Sequence, residues 1–145
     1  MPNSNKTIDR IRIVVADDNR QVREMVVYLL TPDYEVIGTA TDGAAAFEMV
    51  MLLNPEIVVL DISMPILSGI EAAAEMKKNG SKAKTVFLTV HEDPDFVRAA
   101  LTSGASGYVV KSQMATDLSA AIRVAIGGNF FISPCCALSE GPFAQ

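Results

Sequence analysis

Five times along this chain, a short run of β-branched and apolar residues is followed by a longer stretch with helical spacing. The runs are Ile11–Ala16, Glu35–Ala40, Glu56–Leu60, Lys84–Thr89 and Gly107–Val110. The stretches between them carry apolar residues at three- and four-residue spacing, as in Val22, Met25, Val26, Leu29 and Leu30. The run Ile57-Val58-Val59-Leu60 has no polar alternation, which marks a strand covered on both faces. Alternating β and α units with right-handed crossovers leave one economical solution: a parallel sheet with helices on both sides. The chain therefore reads as a single doubly wound α/β domain of five strands and five helices.

Local signals place the helices. Asn19 is suited to cap the first, running from about Arg20 to Leu30, and Thr31-Pro32-Asp33 stops it. Asp42-Gly43 opens the second, which ends before Asn54-Pro55. Ser68-Gly69-Ile70-Glu71 fits a capping box for the third, and Asn79-Gly80 fits its end. Asp93-Pro94 starts the fourth, Ser112 is a candidate cap for the fifth, and Gly127-Gly128 closes it. Residues 1–9 read as a flexible lead-in, 10–128 as the domain, and 129–145 as a linker or tail without an output domain.

Composition excludes several function classes. The 145 residues carry a net charge of -5, with a pI near 4.8, which argues against nucleic-acid contact by this domain itself. No apolar run approaches a membrane span, and Met1–Asp9 lacks the apolar core of a secretory signal. The two cysteines, Cys135 and Cys136, are adjacent, which gives neither a disulfide framework nor a spaced metal motif. They read as an unpaired tail pair, with a strained vicinal bridge as the alternative. A cytoplasmic location and no membrane partner are expected.

In a parallel α/β sheet, ligands bind beyond the carboxyl ends of the strands. At those ends this chain places Asp17 and Asp18, Thr41-Asp42, Asp61, Thr89 and Lys111. Three carboxylates in one place repel unless a cation intervenes, and magnesium suits a few carboxylates plus waters. A divalent ion, an ammonium and a hydroxyl around one carboxylate describe a phosphoryl site, with Asp61 as nucleophile forming an aspartyl phosphate.

The set Asp17-Asp18, Asp61-Ile62-Ser63-Met64-Pro65, Gly69, Thr89 and Lys111 resembles the receiver domain of two-component response regulators. Asp18 precedes Asp61 by 43 residues, Thr89 follows it by 28 and Lys111 by 50. The resemblance implies a flavodoxin-like sheet of order 2-1-3-4-5. It implies that Asp61 takes phosphate from a sensor histidine kinase or phosphotransfer protein. It further implies that Asp18, Asp61 and the Ser63 backbone carbonyl ligate Mg²⁺, that Asp17 acts through water, and that Lys111 pairs with Asp61 or its phosphate. Thr89 would shift toward the phosphate, Tyr108 would move inward and remodel the face built from the fourth helix, fifth strand and fifth helix, and the Ser63 and His91 positions would tune hydrolysis of the acyl phosphate.

Gly104–Ser112 and the stretch from Ala121 to Pro134 are similar to NarL/FixJ-type regulators, which usually continue into a helix-turn-helix domain. The 11 residues after Pro134 are too few for one, so a trimmed chain or a stand-alone receiver is expected. Transcriptional output through a domain absent from this chain is implied, a homodimer is possible, and no turnover enzyme is expected. A haloacid dehalogenase-type phosphatase would need an acid where Ser63 stands. A flavin or nucleotide binder would need a glycine-rich phosphate loop, and none is present.

Overall fold

A computed structural model describes residues 10–136. The strands are β1 (Arg12–Ala16), β2 (Glu35–Ala40), β3 (Ile57–Leu60), β4 (Lys84–Thr89), β5 (Gly107–Val110) and β6 (Phe131–Ile132). The helices are α1 (Arg20–Leu30), α2 (Gly43–Leu53), α3 (Gly69–Lys78), α4 (Pro94–Thr102) and α5 (Met114–Ile126). All pairings are parallel, in the order β2-β1-β3-β4-β5-β6. The expected flavodoxin-like order is present, with one strand more than the pattern predicts.

The sheet is covered on both faces, which is why its central strands carry no polar alternation. Val14, Ala16, Val58, Leu60, Phe87, Tyr108 and Val110 pack under α2, α3 and α4. Their neighbours Ile13, Val15, Ile57, Val59, Val86, Leu88 and Val109 pack under α1 and α5. A one-residue slip of β3 would move every side chain to the other layer, so two apolar faces and two sets of helices fix the register together.

The caps follow the sequence closely. Asn19 accepts from the Val22 N–H, Asp42 from Ala45 and Asp93 from Asp95. Ser68 and Glu71 form the reciprocal capping box. The exception is α5. The chain after Val110 first makes a 3₁₀ turn over Lys111–Gln113, and α5 begins only at Met114 with no side-chain cap. Ser112 lies within that turn and does not cap the helix.

The segment after Gly127-Gly128 folds back onto the sheet. β6 pairs Phe131 with Gly107 and Ile132 with Tyr108. Ser133 is fully buried there: its hydroxyl accepts from the Val110 N–H (3.1 Å) and donates to Asp117 Oδ2 (2.8 Å). The expected tail thus begins as sheet, and a second 3₁₀ turn follows at Pro134–Cys136. The remainder of that tail, 137–145, and the lead-in, 1–9, lie outside the described residues.

Candidate functional site

Asp17 is the first residue past β1, and its N–H donates to Ala40 O on β2. Asp61 is the first past β3, and its N–H donates to Ala16 O on β1. Backbone pairing therefore carries both carboxylates beyond the sheet edge side by side. Both residues are buried, at 1% and 4% exposure, whereas Asp18 is exposed. Carboxylate oxygens of Asp17, Asp18 and Asp61 all lie within 4.8 Å of one another.

Lys111, first past β5, reaches into the same cup. Its Nζ lies 2.8 Å from Asp17 Oδ2 and 3.2 Å from Asp61 Oδ2. Asp17 Oδ1 accepts from the Asn19 N–H at 2.8 Å, and the Arg23 guanidinium donates to the Asp17 carbonyl at 2.8 Å. The Ser63 N–H donates to Asp61 Oδ1 at 3.3 Å. Burial pushes the Asp61 carboxyl above its ordinary range and the charge of Asp17 pushes it further, while Lys111 and the Ser63 N–H oppose both. Burial alone would pull Lys111 down, yet its hydrogen bonds and charge contacts with Asp17 and Asp61 outweigh that and hold the ammonium's pKa up.

The turn leaving β3 is shaped around Asp61. Leu67 N–H donates to Pro65 O across Ile66, which has a φ of 71°. A β-branched residue rarely adopts that conformation, and the Ile66 side chain is exposed. Gly69 opens α3 directly against Asp61: a Cβ there would stand 2.1 Å from the Asp61 carbonyl oxygen. Only glycine admits this approach, and the approach sets where Asp61 sits.

Thr89 ends β4 fully buried, and its hydroxyl accepts from the His91 N–H at 3.2 Å. The His91 ring stacks on Phe96 at 4.0 Å, and its Nε2 lies 2.8 Å from Ser63 Oγ. Tyr108 is fully buried beneath that loop, with its hydroxyl donating to the His91 carbonyl at 2.7 Å. Ser63, Thr89, His91 and Tyr108 thus form one chain of contacts beside Asp61. Asp42 is spent on capping α2 and takes no part. Asn19, whose N–H holds the Asp17 carboxylate, Arg23, which holds the Asp17 carbonyl, and the Ser133–Asp117 pair beneath Val110 were not legible as site residues. Each makes at least one of its contacts to or from a backbone group, which leaves no pattern in sequence.

The acidic trio suits a hard cation. Its donors are all oxygen, and the buried Asp17 and Asp61 carboxylates are bridged by one ammonium, that of Lys111. Three carboxylates with one ammonium among them leave negative charge that a further cation would neutralise. Magnesium therefore fits the residues present.

Fold and site together define a doubly wound α/β module with an acidic, lysine-bridged cup at the carboxyl edge of its sheet. Residues 13–123 match the response regulator receiver domain, and the chain belongs to that family. DegU of Brevibacillus brevis, a transcriptional regulatory protein, is 35% identical over 128 residues, covering 87% of this chain and 54% of DegU. The transcriptional regulatory protein NarL of Mycobacterium tuberculosis is 32% identical over 133 residues, covering 90% of this chain and 62% of NarL. The signal receiver domain of NarL from that organism superposes with a TM-score of 0.79 at 32% identity, over 83% of this chain and 98% of that one. A LuxR-family two-component response regulator from Aurantimonas sp. gives 0.82 at 34% identity, over 87% and 91%. These relatives belong to the branch that Gly104–Ser112 resembles. The chain spans roughly half to two thirds of the length of the curated relatives it matches. Among the described residues no helix is long and apolar enough to cross a membrane.

Proposed function

We propose that the chain is a phosphorylation-dependent signalling switch in which Asp61 accepts a phosphoryl group from a sensor histidine kinase or phosphotransfer protein. The observation that carries this reading is Lys111 Nζ seated between the Asp17 and Asp61 carboxylates, with Asp18 alongside. An Asp61 oxygen attacks phosphorus, the phosphorus–nitrogen bond of the donor histidine breaks, and its electron pair leaves on the imidazole. The product is an acyl phosphate on Asp61. Lys111 favours the ionised form of Asp61 against burial before transfer, and pairs with the added charge afterwards. Asp18, Asp61 and the Ser63 backbone carbonyl would hold Mg²⁺, with Asp17 contributing through water. When bound, that ion supplies charge neutralisation for the transferred group.

The contacts from Thr89 through His91 to Tyr108 support a coupling role. Movement of Thr89 toward a phosphate would pull on the His91 N–H that it now accepts from. The His91 carbonyl in turn holds the Tyr108 hydroxyl. The α4-β5-α5 face would then change, and with it a partner surface, possible self-association included. Ser63 and His91 flank Asp61 and would set how fast the acyl phosphate hydrolyses. The relatives named above support transcriptional output through a DNA-binding domain outside this chain. The domain itself would act in the cytoplasm without touching nucleic acid, and as a switch, not a turnover enzyme.

Acetyl phosphate with Mg²⁺ tests the assignment. The intact protein should gain one phosphoryl group by mass, and Asp61→Asn should gain none. Labelling that survives in Asp61→Asn would overturn it.

A further inference from the structure

A second cluster of ligand-type side chains lies outside the acidic cup. Among the described residues, ligand atoms of Glu92, Cys135 and Cys136 all fall within 4.8 Å of one another. Both cysteines are free thiols. They are far from Glu92 in sequence, and β6 brings them together. Ser133, buried and hydrogen-bonded to Val110 and Asp117, anchors the chain just ahead of the thiols. The Cys136 N–H then closes the turn onto Ser133 O at 2.8 Å. The thiols are thus presented from anchored backbone. Glu92 is positioned equally well, between His91, whose carbonyl takes the Tyr108 hydroxyl, and Asp93, which caps α4.

The donor set differs in kind from the aspartate trio. Two sulfurs and one carboxylate oxygen suit a borderline-soft ion and discriminate against magnesium. Cys136 is 4% exposed while Cys135 and Glu92 face solvent, so an ion has an entry path and one sheltered ligand. Burial, and Cys135 beside it, push the Cys136 thiol up to about 12, which suppresses its chemistry as a free thiolate. A metal ion would draw that proton off.

We propose that Glu92, Cys135 and Cys136 form a binding site for a thiophilic divalent cation of the Zn²⁺ class, stapling the turn after β6 to the loop after β4. Binding forms two metal–sulfur bonds and one metal–oxygen bond, and releases the two thiol protons to solvent. The staple would close over the loop that carries the His91–Tyr108 bond. It does not depend on phosphorylation of Asp61.

The test is a Co²⁺ titration of the 145-residue protein, kept reduced and in excess Mg²⁺ so that the aspartate trio does not compete. One equivalent should produce sulfur-to-cobalt charge-transfer absorption, and Zn²⁺ should abolish it. The band should be lost in Cys135→Ser, which changes an exposed residue, and in Cys136→Ser. Affinity should fall about tenfold or more in Glu92→Gln and stay unchanged in Asp61→Asn. Absence of the band overturns the site, as does an unaltered titration in Glu92→Gln. Ready closure of the two thiols into a disulfide, with no metal uptake under reductant, would overturn it as well.

Discussion

Lys111→Met isolates the electrostatic logic of the cup. Methionine keeps most of the stem volume and removes the charge. In the parent, Nζ sits 2.8 Å from one buried carboxylate and 3.2 Å from the other. Without it, Asp17 and Asp61 face each other with oxygens within 4.8 Å. Their repulsion, about 3.5 kcal/mol at an effective dielectric of about 20, exists in the parent too, where Lys111 offsets it. Removing one partner of a buried ion pair leaves the charge uncompensated and costs about 3–5 kcal/mol. A loss of about 3 kcal/mol in metal-free buffer at pH 7.5 is therefore expected. The pH dependence follows from Asp61. Its folded carboxyl already titrates above its ordinary value because of burial and Asp17, and Lys111 opposes the shift. Removing Lys111 raises it further. A carboxyl whose pKa is higher folded than unfolded costs stability as pH rises towards the folded value, and returns it as pH falls. The deficit of Lys111→Met relative to the parent should therefore shrink between pH 7.5 and pH 5. Mg²⁺ at pH 7.5 should shrink it too, by binding only the folded form. Urea denaturation followed by circular dichroism, with EDTA or Mg²⁺, measures all three. A deficit identical at both pH values and indifferent to Mg²⁺ would refute the reasoning, as would no deficit at all.

Two further substitutions probe what positions the cup. Ser133→Ala should strand the Val110 N–H in the core and remove a donor from Asp117, costing about 2–3 kcal/mol as a lower urea midpoint at unchanged slope. A cost under about 0.5 kcal/mol, no more than an ordinary surface substitution, would mean that β6 is not anchored by this residue. Gly69→Ala should drive a Cβ into the Asp61 carbonyl, destabilise the fold by about 1–3 kcal/mol and slow acetyl phosphate labelling. Parent-like labelling together with parent-like stability would show that the α3 start yields without moving Asp61.

The sequence alone determined most of the architecture. Five apolar runs with helical stretches between them admit little besides a doubly wound sheet, because each run must be covered on two faces. Caps such as Asn19, Asp93 and the Ser68–Glu71 box were legible because they are local chemistry, satisfied within a few residues. Asp17, Asp18, Asp61 and Lys111 were legible as a set because the ends of parallel strands share one edge. Tertiary structure alone decided the rest. β6 is two residues long and takes its stability from the β5 edge and from Ser133, so no period announces it. Ser112 has the chemistry of a cap but lies in the 3₁₀ turn Lys111–Gln113, ahead of the start of α5 at Met114. The meeting of Cys135 and Cys136 with Glu92 follows from that folding back, and no spacing in the sequence encodes a contact made across the sheet edge.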